Sequence, residues 1–509
     1  MSLQKTYMLG VDIGTGGCKA TLVDGNGRIL GSAYREYVTF YPQPGWAEQD
    51  PDDWYDAFQQ TLKQAMSQQS VQAKDIACIC IDGPTHTMIL LDKEDNILSP
   101  AILWTDRRTI PQVEWLRKNF GKDIFKITYQ EPNINWTLPY LLWVKENKPE
   151  VWRKFNRLFI TKDYVRYRVT GVWATDRADA LGTLMYDAAN QKWSEEICSE
   201  ILGISFSKLP PVYPPTKVIG KITKRAAKET GLIEGTPVIV GSTDQAVEAF
   251  GNGAIKEGQG IIKLATAGNV AVVTEKPYPA PGIITYYHLH PKKWYMLSAT
   301  TSCAISYRWF RDVLCEEEVT SAKEQGLSSY ELMNTKATLA PVGSEGLIFH
   351  PDLQGGLQNP YLRASFIGIT MRHRKEHFTR AVLEGVAFSL RDRLEVLQRL
   401  NIPIKDFRLI GGGAKSSLWG QIVRDVMGIR AFRTAADDSS FGAALLAGVG
   451  VGIFKNMEEA VKRCVKVVDV LTPNPENYEK YTKIFEVYQK THKDLIESYK
   501  LLYKILKER

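Results

Sequence analysis

The sequence predicts an α/β protein built from two related domains, and three observations lead there. Strand and helix signals alternate through most of the chain. With 509 residues, the chain exceeds what one ordinary core organises. One β-turn-β pattern also occurs twice, roughly 250 residues apart, in the runs opening at Asp12 and at Gly258. That spacing is far longer than the ~20–50 residues of a solenoid repeat, so it marks paired domains.

The opening run, Tyr7 to Val11, reads as a strand that enters the Gly-rich turn Gly14-Thr15-Gly16-Gly17. A second β-rich run follows. The sequence Asp24-Gly25-Asn26-Gly27 then predicts a hairpin into a third strand, giving an antiparallel meander. Trp54 to Gln68 has helical apolar spacing, and Ile76 to Ile81 is a short apolar run typical of a buried strand. Met88 to Leu98 reads as another hairpin.

In the middle of the chain, Val238 to Val240 is a buried strand and Asp244 to Ala249 starts a helix. The second β-turn-β unit follows, turning at Ala265-Thr266-Ala267-Gly268-Asn269. A long helix is expected over Glu376 to Leu400, then a strand from Phe407 to Ile410, a Gly411-Gly412-Gly413 turn, and a helix from Ser417 to Met427. A boundary near residue 250 separates residues 1–250 from residues 251–509, with Gly251 and Gly253 as hinge candidates. The tail has apolar residues at Tyr481, Ile484, Phe485 and Tyr488, the spacing of a packing helix that can lie back on the first domain.

Composition excludes several classes. The chain is 44% hydrophobic and 24% charged, which argues for a globular protein and against disorder. Its net charge of +7 is spread thinly, with many lysines in the tail, and reads as a solvated face; neither a nucleic-acid nor a membrane partner is expected. Seven cysteines without a CxxC pair suggest buried free thiols in a reducing, cytoplasmic compartment. No apolar window approaches the ~20 residues of a bilayer span, and no leader-like segment opens the chain.

Neither a Walker A pattern nor a GxGxxG opening a helix is present, which argues against P-loop and dinucleotide enzymes. Backbone N–H groups in tight glycine turns can still hold phosphates. The turn with Gly14, Thr15 and Gly16 offers this, along with the carboxylate of Asp12 and the cation of Lys19, although an ordinary hairpin has the same pattern. Thr266 and Gly268 repeat the chemistry, so two opposed turns could cradle one polyphosphate. Gly411, Gly412 and Gly413 let the backbone approach a flat ring, or simply open a helix. Asp244, just past a buried strand, is placed either to accept a proton or to cap the helix. His288 and His290 alternate on a strand without a third ligand at useful spacing, which favours structural roles.

Taken together, Asp12 to Lys19, Gly241 to Gly251, Leu264 to Gly268 and Gly411 to Trp419 resemble the FGGY carbohydrate kinases. The run from Ala364 to Ile369, followed by His377-Phe378 and Ala381 to Glu384, is similar to that family's second signature. The segments Pro100 to Arg108, Lys162-Asp163-Tyr164, Thr175-Asp176 and Ala180 to Thr183 resemble its xylulokinase-like branch. Three places depart from the pattern, one of them Gly355-Gly356-Leu357-Gln358-Asn359-Pro360, where that branch tends to show Gly-Glu-Arg-x-Pro. Gly83-Pro84-Thr85-His86-Thr87 stands where that branch tends to show Gly-Gln-Met-His-Gly, and Tyr140 stands where the first signature expects Lys.

The resemblance implies two actin-like domains of the RNase H, hexokinase and actin ATPase fold, flanking a nucleotide cleft that closes on substrate. It implies transfer of phosphate from ATP, with Mg²⁺, to a small-molecule sugar, with D-xylulose to D-xylulose 5-phosphate as the leading reaction. Another ketopentose, a polyol or a sugar acid (ribulose, glycerol, erythritol, gluconate) is the alternative, and a sugar-independent actin-like ATPase stands further off. Asp244 would be the general base and Asp12 would hold Mg²⁺ through water. Gly14, Thr15, Gly16, Lys19, Thr266 and Gly268 would line the phosphates, with Gly411, Gly412, Gly413 and Ser416 near the adenosine. Thr85, His86, Trp104, Asp106 and Gln245 would line the sugar. A homodimer is also implied.

Overall fold

Nearly continuous burial along Tyr7–Ile13 and Gly17–Asp24 makes these residues the centre of a sheet covered on both faces rather than its edge. In the computed structural model, which describes residues 6–68, 71–356, 359, 361–436 and 438–507, they are strands β1 and β2, paired antiparallel with Asp12 opposite Lys19. Strand β3 (Ile29–Glu36) completes the meander. Its turn closes where the sequence predicts: the Asp24 carboxylate accepts the N–H groups of Asn26 and Arg28.

Helix α1 (Pro51–Ser67) is capped by Asp50, has Pro at its start, and buries Trp54 and Phe58. The apolar run forms β4 (Ile76–Asp82), parallel to β1 and in register so that Asp82 lies beside Asp12. With β5 (Val218–Lys221) and β6 (Pro237–Ile239), the sheet order is β5-β6-β4-β1-β2-β3. Helix α2 (Asp244–Gly251) leaves β6 through a four-residue turn.

The same arrangement recurs further along. Strand β7 (Gln259–Leu264) pairs antiparallel with β8 (Gly268–Thr274) and parallel with β9 (Asp406–Ile410), just as β1 does with β2 and β4. The echo in the sequence is therefore a repeated topology. Between β8 and β9 comes α3 (Lys375–Arg399), buried all round from Thr379 to Phe388 and on one face beyond that to Leu397. After β9 come α4 (Ser417–Met427) and β10 (Ala431–Thr434).

The compact units do not follow a single cut at residue 250. One comprises residues 1–255, 275–295 and 436–466; the other comprises 256–274, 296–435 and 467–509. Helix α5 (Ser439–Gly450), although late in the chain, packs on β1 and α2 of the first unit. Two glycine contacts make this possible. Gly442 lies against the backbone of Val247 and Gly251, so Gly251, a hinge candidate in the sequence, is a packing position. Gly10 of β1 lies beneath the backbone of Ser440 and Ala444.

A methyl group added at Gly10 would sit 1.9 Å from the Ser440 carbonyl oxygen and 2.4 Å from the Ala444 nitrogen. Both neighbours are helix backbone and cannot rotate away. Gly10→Ala is expected to lower the unfolding free energy by about 3 kcal/mol, read as a shift of the urea midpoint.

The tail forms β11 (Val467–Leu471), antiparallel to β10, and α6 (Pro475–Lys507). Helix α6 belongs to the second unit. There Tyr481 bonds both Arg380 and Glu384 of α3, and Tyr481 and Tyr488 pack on Phe388. All seven cysteines are free and buried. Among the described residues, no helix is long and apolar enough to cross a membrane.

Candidate active site

In the first unit, three carboxylates meet at the carboxyl ends of three adjacent parallel strands. Asp12 is the penultimate residue of β1 and Asp82 the last residue of β4, and the two are register partners. Asp244 follows β6; Gly83 and Thr243 form a parallel bridge, and the Asp244 N–H donates to the Gly83 carbonyl at 3.0 Å. In open α/β sheets this is the edge where ligands bind.

The sequence left Asp244 either as a cap or as a base. The structure gives the cap to Thr243, whose hydroxyl accepts the Ala246 N–H at 3.3 Å, while one Asp244 oxygen accepts the N–H of Gln245 at 2.7 Å. Asp82 carries no sequence signal beyond ending an apolar run, and sequence reading misses it. It is fully buried, and burial, followed by the negative charges of Asp12 and Asp244, pushes its carboxyl well above the ordinary range.

The first glycine turn is rigid. The Gly14 N–H donates to the Gly17 carbonyl at 3.0 Å, and the Tyr37 hydroxyl donates to the Gly14 carbonyl. The Thr15 hydroxyl accepts the Trp104 indole N–H at 2.9 Å, which ties this turn to the predicted sugar-side segment. Gly16 is exposed. Lys19 is a half-exposed cation paired with Asp438 at 2.9 Å.

Thr85 and His86 follow β4 and abut the end of the helix Arg177–Gly182. A methyl group at Gly182 would lie 2.1 Å from the Thr85 methyl and 3.3 Å from the His86 ring. Gln245 adjoins Asp244, and its amide oxygen is buried without a partner.

Asp106 has a different place from the one expected. It is fully buried. One oxygen accepts the Arg108 N–H and Nε at 2.8 and 2.9 Å; the other accepts the Ala47 N–H at 2.6 Å and Arg108 Nη2 at 2.7 Å. Both oxygens are occupied by local structure. Tyr140, standing where the family signature has Lys, is buried beside it and donates to the Asp106 carbonyl at 3.1 Å.

In the second unit, two more glycine turns lie side by side, because β7 and β9 are parallel neighbours with Lys263 opposite Ile410. Thr266 is exposed at the tip of the first, and its carbonyl accepts the Cys303 N–H at 3.0 Å. Gly268 packs against Cys303, where a methyl group would come within 2.9 Å. Gly411 adopts φ 88° and lies against the Leu264 carbonyl, a position only glycine fills without strain. Gly413 packs on Trp419 and Leu264, whereas Gly412 opens to free space. The Ser416 hydroxyl caps α4 by accepting the Trp419 N–H at 3.1 Å. The structure thus brings the Thr266 turn and the Gly411 cluster together within this unit.

Residues 7–251 match the profile of the FGGY family of carbohydrate kinases, N-terminal domain, and residues 261–451 match that of the C-terminal domain. The chain belongs to the FGGY family of carbohydrate kinases. It is 33% identical over 500 residues to xylulose kinase of Bacillus subtilis (strain 168), an alignment covering 96% of this chain and 98% of that protein. A gluconokinase of the same organism is 28% identical, with 95% of each chain covered. The crystal structure of xylulose kinase from Rhodospirillum rubrum superposes with a TM-score of 0.89 at 26% identity, covering 97% of this chain and 99% of that one.

Behind the carboxylates, this FGGY kinase buries an ion cluster. Lys162 lies 2.6 Å from Asp163, 3.2 Å from Asp176 and 2.9 Å from Asp179, with every side chain 0 or 1% exposed. Arg166 joins Asp163 at 2.7 Å and donates to the Val240 carbonyl at 2.6 Å. Asp176 caps the helix Arg177–Gly182 and accepts the Ser242 hydroxyl at 2.8 Å. The turn that carries Asp244 is therefore held at Val240 and at Ser242. His288 serves packing: its Nε2 donates to the Ala254 carbonyl at 3.2 Å, its Nδ1 accepts the His290 N–H at 3.1 Å, and burial lowers its pKa to about 3.

Proposed function

We propose that this FGGY kinase transfers the terminal phosphate of ATP to D-xylulose, forming D-xylulose 5-phosphate. The observation that carries the reading is the meeting of Asp12, Asp82 and Asp244 at the ends of β1, β4 and β6 in a chain of this family. Phosphoryl transfer needs positioning and charge stabilisation, with one group to take the proton of the attacking hydroxyl. Asp244 suits that role, since Thr243 supplies the helix cap and the Asp244 backbone is fixed to Gly83 at the strand ends.

Asp12 suits a divalent cation. Among the described residues, no group of three His, Cys, Asp or Glu side chains could hold a metal by itself. A Mg²⁺ ion retains water and binds one or two carboxylates together with substrate phosphates, and Asp12 fits that pattern. When bound, Mg²⁺ neutralises charge developing on the phosphates. In this reading Gly14 shapes the first unit's turn, whose Thr15 and Gly16 N–H groups serve phosphate oxygens with Lys19 adding charge, and the Thr266 to Gly268 turn of the second unit offers the same chemistry. The backbone at Gly411, Gly412 and Gly413 receives the nucleoside, and Ser416 fixes the helix behind it. Thr85, His86, Trp104 and Gln245 belong to the sugar side, and Asp106 supports that side through Arg108 and Ala47.

The test is ATP consumption with Mg²⁺ against D-xylulose, L-xylulose, D- and L-ribulose, glycerol, gluconate, erythritol and fuculose. D-Xylulose is expected to give the highest kcat/KM. A higher value for gluconate or glycerol would move the substrate, and hydrolysis indifferent to every sugar would overturn the reading.

A further inference from the structure

The environment of His86 assigns its protons. The residue adopts φ 78°, and its ring packs edge-on against Trp136 with centroids 4.6 Å apart. Its Nδ1 lies 2.7 Å from the Gly182 carbonyl oxygen. A carbonyl only accepts, so Nδ1 carries the proton. Nε2 is then a lone pair, and the Tyr286 hydroxyl, 2.9 Å away, must donate to it. Burial lowers the imidazole pKa to about 4, which keeps this neutral form at neutral pH. Both ring nitrogens are thus occupied inside the protein, and neither is left to bind a sugar.

The Tyr286 hydroxyl has one proton and two acceptor lone pairs. Its proton is committed to His86. The hydroxyl is 4% exposed as part of its residue and lies within reach of the charges of Asp244 and Asp179. Beside Asp244, the Gln245 amide oxygen is a buried acceptor without a partner. Lys162, whose partner Asp179 also acts on Tyr286, is surrounded by three carboxylates. This wall of the site is therefore rich in acceptors and short of donors. A polyhydroxy compound brings donors, whereas a carboxylate brings only acceptors and a like charge.

We propose that Tyr286 is a substrate-specificity residue: with its proton fixed on His86, its oxygen accepts a hydrogen bond from a sugar hydroxyl, and the site thereby selects neutral sugars over sugar acids. The proposal rests on the sugar-kinase reading above. His86 is then a positioning residue acting through Tyr286.

The experiment is steady-state kinetics on the full chain, wild type and Tyr286→Phe, with D-xylulose, its monodeoxy analogues and gluconate. Tyr286→Phe is expected to raise KM for D-xylulose about tenfold, with a smaller change in kcat. KM for ATP should stay within about twofold. One monodeoxy analogue should be disfavoured about tenfold by the wild type and lose that handicap in the variant. The ratio of kcat/KM values for sugar and analogue is taken within one protein, so a lower folded fraction leaves it unchanged. Equal ratios in both proteins, or gluconate used as well as D-xylulose by the wild type, would overturn the proposal while leaving the kinase reading standing. A wild type that ignores every sugar would sink both.

Discussion

Asp244→Asn is expected to lower kcat about a thousandfold and to leave KM for the sugar within a few-fold. The amide keeps the shape of the carboxylate but cannot take the proton of the attacking hydroxyl. Stability gives the control. Because Thr243 caps α2, the substitution removes no cap, and the unfolding free energy from urea titration should change by less than about 0.5 kcal/mol. Thr243→Ala should do the reverse to stability, costing about 1 kcal/mol through the lost cap. An Asp244→Asn enzyme within tenfold of wild-type kcat would place the proton acceptor elsewhere, with Asp12 as the first alternative on geometric grounds.

Much of this was legible in the sequence because it was written in local patterns. The hairpins at Asp24 to Arg28 and around Gly14 depend on turn chemistry, and β4, β6 and β9 are short apolar runs bounded by glycine or polar residues. The topological repeat was legible as well, since both copies keep a strand, a glycine turn and a strand.

What stayed hidden depends on distant partners. Helix α5 is apolar almost all round, which tells that it is buried but not where; its place on β1 depends on Gly10 and Gly442, more than 400 residues apart. Asp82 looks like the end of a buried strand until its register with Asp12 is known. Tyr286 looks like one more aromatic on a strand, and its meaning comes from His86, 200 residues earlier. Asp106 misleads in the opposite sense: a polar residue in a motif-like segment turns out to be wholly engaged by Arg108 and Ala47.

The buried ion cluster carries the largest stability effect. Burial opposes the charge of Lys162, but Asp163, Asp179 and Asp176 outweigh it and hold its pKa above the ordinary lysine value. Burial, the largest influence, raises Asp179 well above the ordinary carboxylate range despite the neighbouring cation. The cluster sets two cations, Lys162 and Arg166, against the carboxyl groups of Asp163, Asp176 and Asp179.

Lys162→Met preserves the length of the side chain but removes one cation from that balance. An uncompensated buried charge remains, and the expected cost is about 3–5 kcal/mol. The pH dependence follows from the sign of the carboxyl shift. A carboxyl whose folded pKa lies above its unfolded value favours the folded state when protonated, so its contribution is lost as pH rises from about 4 towards 8. Removing Lys162 pushes the remaining carboxyls further in that direction. The penalty of Lys162→Met should therefore be larger at pH 8 than at pH 6, measured as the difference in urea midpoint from wild type at each pH. A penalty that shrinks as pH rises would mean that the cluster is not held together by Lys162, and that the grip on Val240 and Ser242 depends on Arg166 and Asp176 alone.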